Sequence, residues 1–140
     1  EPALVLDVAH NPHAVAALAE NLDAMGSYPT THAVFGVMAD KALAPLFART
    51  GPMIVRWYFT ALPTARAAKA DDLIVRWQAQ NKRSDVSASV HGAPMEALQA
   101  AIDRADPADR IVVFGSFFTV GGVLEHGTPR LGARHLAPGS

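Results

Sequence analysis

Asp7, His10 and Asn11 fall within a single five-residue stretch, directly after the apolar run Leu4-Val5-Leu6 and directly before Pro12. A carboxylate such as Asp7 can accept hydrogen bonds from a ribose hydroxyl, or it can close a turn onto nearby backbone N–H groups. The His10 imidazole can donate to a phosphate or acyl-phosphate oxygen. Asn11 reads first as a helix cap and second as a ligand, because its side-chain oxygen suits the first free N–H groups of a helix. His13 lies three residues beyond His10. Two histidines so spaced can share a metal on a helix, but His10 precedes the helix and no third ligand is evident, so no metal site is expected here.

Further polar residues fall just after apolar runs. Asp40 and Lys41 follow one run, and Thr60, Thr64 and Arg66 follow the next. His91 follows a weaker run, and Ser116 and Thr119 follow the last. Lys41 can reach a carboxylate or phosphate as a point charge, with Asp40 as a helix cap beside it. Arg66 can grip a carboxylate bidentately. Ser116 and Thr119, with the N–H groups of a following helix, can hold an anion. Each of these also has a plain structural reading, as a cap or a solvated loop residue. No nucleophile constellation stands out: there is no cysteine, and no serine sits in G-x-S-x-G. Asp71 and Asp72 read as a helix start, since carboxylates suit the positive end of a helix dipole.

The elements that must position these residues alternate between strand and helix signals. The expected strands are Leu4–Val8, His32–Val37, Met53–Thr60, Asp85–Val90 and Arg110–Gly115, the last of them central. The expected helices run from Pro12 to about Met25, from Leu43 to Arg49, around Leu73 to Trp77, from Pro94 onward, and from about Thr119 to Glu125. Trp57, Tyr58, Trp77 and Phe114 read as core aromatics. Such alternation predicts an α/β fold: a Rossmann-like three-layer sandwich, with a mostly parallel sheet of about five or six strands and helices on both faces. In such sheets ligands bind at the carboxyl ends of the strands, where all the candidate residues would gather.

The chain has 140 residues, half of them hydrophobic, which suits one domain with a real core. Its formal net charge of -1 gives no electrostatic case for nucleic acid or an anionic membrane. No apolar run is of bilayer length, and the residues from Glu1 onward do not read as a signal peptide. The absence of an initiator Met and the early first strand read as a piece cut from a longer protein. No G-x-x-x-x-G-K-S/T phosphate loop occurs. Residues 1–126 are expected to form the domain and 127–140 a loose tail.

Three segments carry a family resemblance. Asp7-Val8-Ala9-His10-Asn11-Pro12 resembles the D-x-A-H-N-P motif of the folylpolyglutamate synthase/dihydrofolate synthase family, in the Mur ligase superfamily. Phe35-Gly36-Val37-Met38-Ala39-Asp40-Lys41 and Val113-Phe114-Gly115-Ser116-Phe117-Phe118-Thr119-Val120 resemble two later family segments in the same order. Leu62-Pro63-Thr64-Ala65-Arg66 resembles a fourth, with Ala65 where the family usually has proline; Ala42 likewise replaces a second acid after Lys41.

The resemblance implies the C-terminal domain of a cytoplasmic, ATP- and Mg2+-dependent ligase. Such an enzyme adds L-glutamate to dihydropteroate or reduced folate through an acyl phosphate. It implies nucleotide contacts at Asp7, His10 and Asn11, with His10 the catalytic candidate near the phosphates. It implies substrate contacts at Lys41, Arg66, Ser116 and Thr119. The partner would be the enzyme's own N-terminal ATPase domain, holding the phosphate loop and most of the metal, and the isolated domain would be inactive. The alternatives are a UDP-muramyl amino-acid ligase domain, a silent nucleotide- or protein-binding α/β module and, more weakly, a receiver-like domain.

Overall fold

The computed structural model describes residues 1–125 together with Gly127, Pro129 and Leu131. Its strands are β1 (Ala3–Leu6), β2 (Thr31–Phe35), β3 (Arg56–Thr60), β4 (Ser87–His91) and β5 (Arg110–Phe114). Its helices are α1 (Pro12–Ala24), α2 (Leu43–Thr50), α3 (Ala70–Gln80), α4 (Pro94–Arg104) and α5 (Phe117–Val123). The five strands form one sheet in the order β1-β5-β2-β3-β4, and every pairing is parallel. The α/β expectation therefore holds.

Side chains along a strand alternate between its two faces. Phe35, Trp57, Phe59, Val112 and Phe114 pack on one face beneath α1, α2 and α3. Val34, Tyr58, Ile111 and Val113 pack on the other with Leu98 and Ile102 of α4 and Val123 of α5. The first face is an aromatic mosaic around Phe35, whose ring centroid lies 4.8 Å from that of Phe114 and 6.0 Å from that of Trp57.

The structure adds to or departs from the expected elements in several details. The middle strand is β2, with β5 beside it; both are buried along their whole length, which is why β5 reads as so hydrophobic. The apolar β1 is an edge strand, and all of its residues stay only half-buried because one flank has no neighbour. The run from Met53 is not strand throughout: Gly51–Met53 make a 3-10 turn in which Pro52 sits comfortably, and the strand begins at Arg56. Of the stretch expected as a tail, Leu131 is buried in the second apolar cluster; apart from Gly127 and Pro129, the rest of it lies outside the described residues.

The topology fixes where a ligand can enter. The helices after β1 and β2 leave over the first face, whereas α5, after β5, leaves over the second. In α/β sheets ligands bind where neighbouring strands send their chains to opposite faces, and both flanks of the carboxyl end of β5 meet that condition.

Candidate functional site

Asp7 and His10 stand at the β1 side of this edge. The Asp7 backbone N–H donates to Val113 O at 2.9 Å, which carries the parallel pairing one residue past β1. Its Oδ1 accepts from the Ala9 N–H at 2.8 Å, an Asx-type turn. Oδ2 is the oxygen left for a ligand. His10 Nδ1 lies 2.9 Å from Val8 O. A carbonyl only accepts, so Nδ1 carries a proton and Nε2 is the atom left over, as an acceptor when the ring is neutral and as a donor when it is charged. Asn11 caps α1: its Oδ1 accepts from the Ala14 N–H at 2.9 Å, and Pro12 takes the first helical position. The cap uses the side-chain oxygen and leaves the amide N–H groups of Asn11 as donors on the surface.

On the far side of β5 the backbones of two loops meet. Gly115 has φ +118°, and a Cβ there would stand 2.1 Å from Gly36 O. Glycine is thus required at position 115 both by its conformation and by this approach. Ser116 caps α5, its Oγ accepting from the Thr119 N–H at 3.1 Å. Thr119 is completely buried, and its hydroxyl donates to Gly36 O at 2.7 Å. The Thr119 side chain, expected to meet substrate, therefore ties β5's loop to β2's, and Ser116, itself buried at 5% exposure, is the one of the two left as a candidate for direct contact.

The loops that carry Lys41 and Arg66 are tied together through their backbones. Met38 and Ala67 form an isolated antiparallel bridge, the Ala39 N–H donates to Arg66 O at 2.8 Å, and the Ala68 N–H donates to Val37 O at 2.9 Å. Arg66 is exposed and has no ion pair among the described residues. Lys41 Nζ stands 3.9 Å from Asp40 Oδ1, a loose surface pair of small energetic weight. Asp40 does not cap α2; Ala42 holds that position with no side-chain hydrogen bond. Thr60 and Thr64 serve their own loops, through Ala61 O and the Arg66 N–H respectively. His91 ends β4 with Nε2 2.7 Å from Ser89 Oγ, and burial pushes its pKa down.

No group of three or more His, Asp or Glu side chains among the described residues could hold a metal ion. No helix among the described residues is long and apolar enough to cross a membrane. Two glycines, Gly36 and Gly115, had no role in the sequence reading, although their place inside two quoted motifs was the available signal.

Comparison with known proteins shows which family the chain resembles. Residues 1–117 match the family model described as Mur ligase, glutamate ligase domain. The dihydrofolate synthase/folylpolyglutamate synthase of Buchnera aphidicola subsp. Schizaphis graminum is 36% identical over 119 residues, covering 85% of this chain and 27% of that protein. The structure of Escherichia coli FolC in complex with DHPP and ADP superposes with a TM-score of 0.78 at 30% identity, covering 88% of this chain and 28% of that one. The Yersinia pestis bifunctional folylpolyglutamate synthase/dihydrofolate synthase complexed with AMPPNP and Mn ion gives 0.74 at 34% identity, again over 88% and 28%. The chain thus spans little more than a quarter of these relatives. With the motif residues gathered around β5 and the family model matched across nearly every element, the chain belongs to the Mur ligase, glutamate ligase domain family.

Proposed function

We propose that this chain is the C-terminal part of a cytoplasmic ATP-dependent ligase that joins L-glutamate to dihydropteroate, to a reduced folate, or to both. One observation supports the reading: Asp7, His10 and Asn11 follow β1 and Ser116 follows β5, neighbouring parallel strands whose next helices pack on opposite faces of the sheet. The relatives named above support the folate class of substrate. In this reading bound Mg-ATP supplies the phosphoryl group that turns the substrate carboxylate into an acyl phosphate. The amine of glutamate then attacks the acyl carbon, and phosphate leaves.

The residues of this chain hold and orient. Asp7 Oδ2 accepts from a ribose hydroxyl. His10 Nε2, when protonated, donates to phosphate oxygens, and the Asn11 amide donates beside it. Lys41 and Arg66 offer cations to carboxylates, and Ser116 meets the incoming amino acid. An N-terminal ATPase domain supplies the phosphate loop and the metal, and closing the two together excludes water and sets the reactants in line. Phe117 and Phe118, both exposed on α5 beside Pro63, give that domain an apolar surface to cover.

The test is phosphate release from Mg-ATP by the full-length ligase, with L-glutamate and either dihydropteroate or a reduced folate. Release is expected to need both glutamate and a pterin. His10→Ala should cut it about 10- to 100-fold, the worth of one hydrogen bond to a charged group. No release with either pterin overturns the reading. Unchanged release in the variant keeps the function and returns His10 to its turn. The 140-residue chain on its own is expected to release no phosphate under the same conditions.

A further inference from the structure

The protons around Thr119 can be counted. Gly36 O is a carbonyl and only accepts, so the single hydroxyl proton of Thr119 points to it, at 2.7 Å. Ser116 Oγ lies 3.1 Å from Thr119 Oγ1. With the Thr119 proton already placed, Ser116 must be the donor of that bond. Ser116 Oγ also accepts from the Thr119 N–H at 3.1 Å. A serine hydroxyl has one proton and two lone pairs. Its proton and one lone pair are used, so Ser116 can offer a ligand only an acceptor.

We propose that Thr119 is a positioning residue that fixes the Ser116 hydroxyl as an acceptor for the amino group of the incoming amino acid. The proposal rests on the ligase reading above and refines it. A carboxylate or phosphate at Ser116 would face a lone pair, not a proton, and be repelled. An amine N–H is the matching donor. Once the ammonium has given a proton to water, holding the neutral amine by an N–H leaves its nitrogen lone pair free to attack the acyl carbon, with phosphate leaving and a second proton lost from the new amide nitrogen. The arrangement is stiff, because Thr119 is wholly buried and Gly115 closes against the same Gly36 carbonyl. Valine at position 119 would free the Ser116 proton to turn toward a ligand carboxylate, whereas serine would keep the chain of bonds.

The experiment compares L-glutamate with glutarate, the same diacid without the amine, in the full-length ligase. It measures the KM of L-glutamate and the inhibition constant of glutarate in wild type, Ser116→Ala, Thr119→Val and Thr119→Ser. Ser116→Ala should raise the KM of L-glutamate about tenfold, one hydrogen bond's worth, and leave glutarate within about twofold. Thr119→Val should weaken L-glutamate and tighten glutarate, and Thr119→Ser should restore both. Equal losses for both ligands in Ser116→Ala, or wild-type values in Thr119→Val, overturn the proposal while the ligase reading stands. A wild type with no glutamate-dependent phosphate release fells the ligase reading and this proposal with it. If Thr119→Val does not fold, the Thr119 hydroxyl proton can be followed by NMR in the wild-type protein. A slowly exchanging signal with contacts to Gly36 supports the bond, and exchange at the solvent rate overturns the proposal.

Discussion

His32→Leu is expected to lower the stability of the fold by about 3–5 kcal/mol, because it strands a buried carboxylate. His32 is completely buried in β2. Its Nε2 donates to Asp109 Oδ2 at 3.0 Å, and its Nδ1 accepts from the Tyr58 hydroxyl at 2.8 Å. Asp109 Oδ1 finds no partner among the described residues, so the carboxylate depends on Oδ2, which also accepts from the Asp106 N–H at 2.9 Å. Leucine removes one of those two donors and leaves the Tyr58 hydroxyl without its acceptor. Tyr58→Phe, which leaves only His32 Nδ1 unsatisfied, should cost less, about 1–3 kcal/mol. Urea unfolding near neutral pH ranks the two, and a Tyr58→Phe loss as large as that of His32→Leu would show that the carboxylate is not the costly group.

The same triad sets a pH dependence. Burial lowers the pKa of His32 below its ordinary 6.5, and Arg56 and Arg104 push the same way, against the raising effect of Asp109. Below about 6.5 the unfolded chain then binds more protons than the folded one. Stability therefore rises with pH in that window, is complete above it, and is lost as pH falls toward the folded value. Tyr58, raised by burial to about 12, stays a neutral donor throughout. Replacing His32 by leucine should flatten the acid slope. A fraction should remain from His91, which is also depressed but more open to solvent. An unchanged slope in the variant would assign it elsewhere.

This triad was invisible in the sequence, for a physical reason. Its members are separated by 26 and 77 positions and meet only because β2 lies beside both β3 and β5. Tyr58 reads correctly as a core aromatic, but its hydroxyl needs a partner that no local pattern can name. Arg110 hides in the same way: it reads as the start of a strand, yet its guanidinium donates to Leu22 O at 2.7 Å at the end of α1 and lies over the Tyr28 ring. What was legible is local. Pro12 after Asn11, Pro94 before Met95, and Asp71 and Asp72 before Leu73 mark helix starts through capping and dipole chemistry, and the structure begins α1, α4 and α3 within a residue of these signals. Strand order was less legible because hydrophobicity reports burial, not sequence of neighbours: β2 and β5 are equally buried, and only pairing shows which is the middle one. At the site, the edge was legible and the division of labour was not. Thr119 and Ser116 look alike in a motif, and only the direction of a proton toward Gly36 O separates a buried tie from a candidate contact.

Gly115→Ala should be among the most damaging single-methyl changes in the chain, costing at least about 3 kcal/mol from backbone strain and collision together. Its φ of +118° is one that L side chains rarely adopt, and the added Cβ would stand 2.1 Å from Gly36 O. A backbone oxygen cannot step aside as a side-chain end can, so one loop must move. Gly36→Ala makes a useful contrast. Its Cβ would meet Thr60 Cγ2 at 2.8 Å, Leu62 Cδ2 at 2.9 Å and the Thr60 backbone oxygen at 3.1 Å, all farther than the 2.1 Å approach at Gly115, with no positive φ to maintain. It should therefore cost less. The ranking can be read from urea midpoints of the two variants, and equal or reversed losses would mean that the β5 loop yields more easily than its geometry implies. Function should follow the same order. Gly36 O is the acceptor that Thr119 grips, so a displaced β5 loop loosens Ser116 as well. If the proposed ligase reading holds, then at temperatures where Gly115→Ala remains folded the full-length protein should lose more of its affinity for glutamate than for ATP, because the strained loop carries Ser116 while the Asp7–His10 turn follows β1.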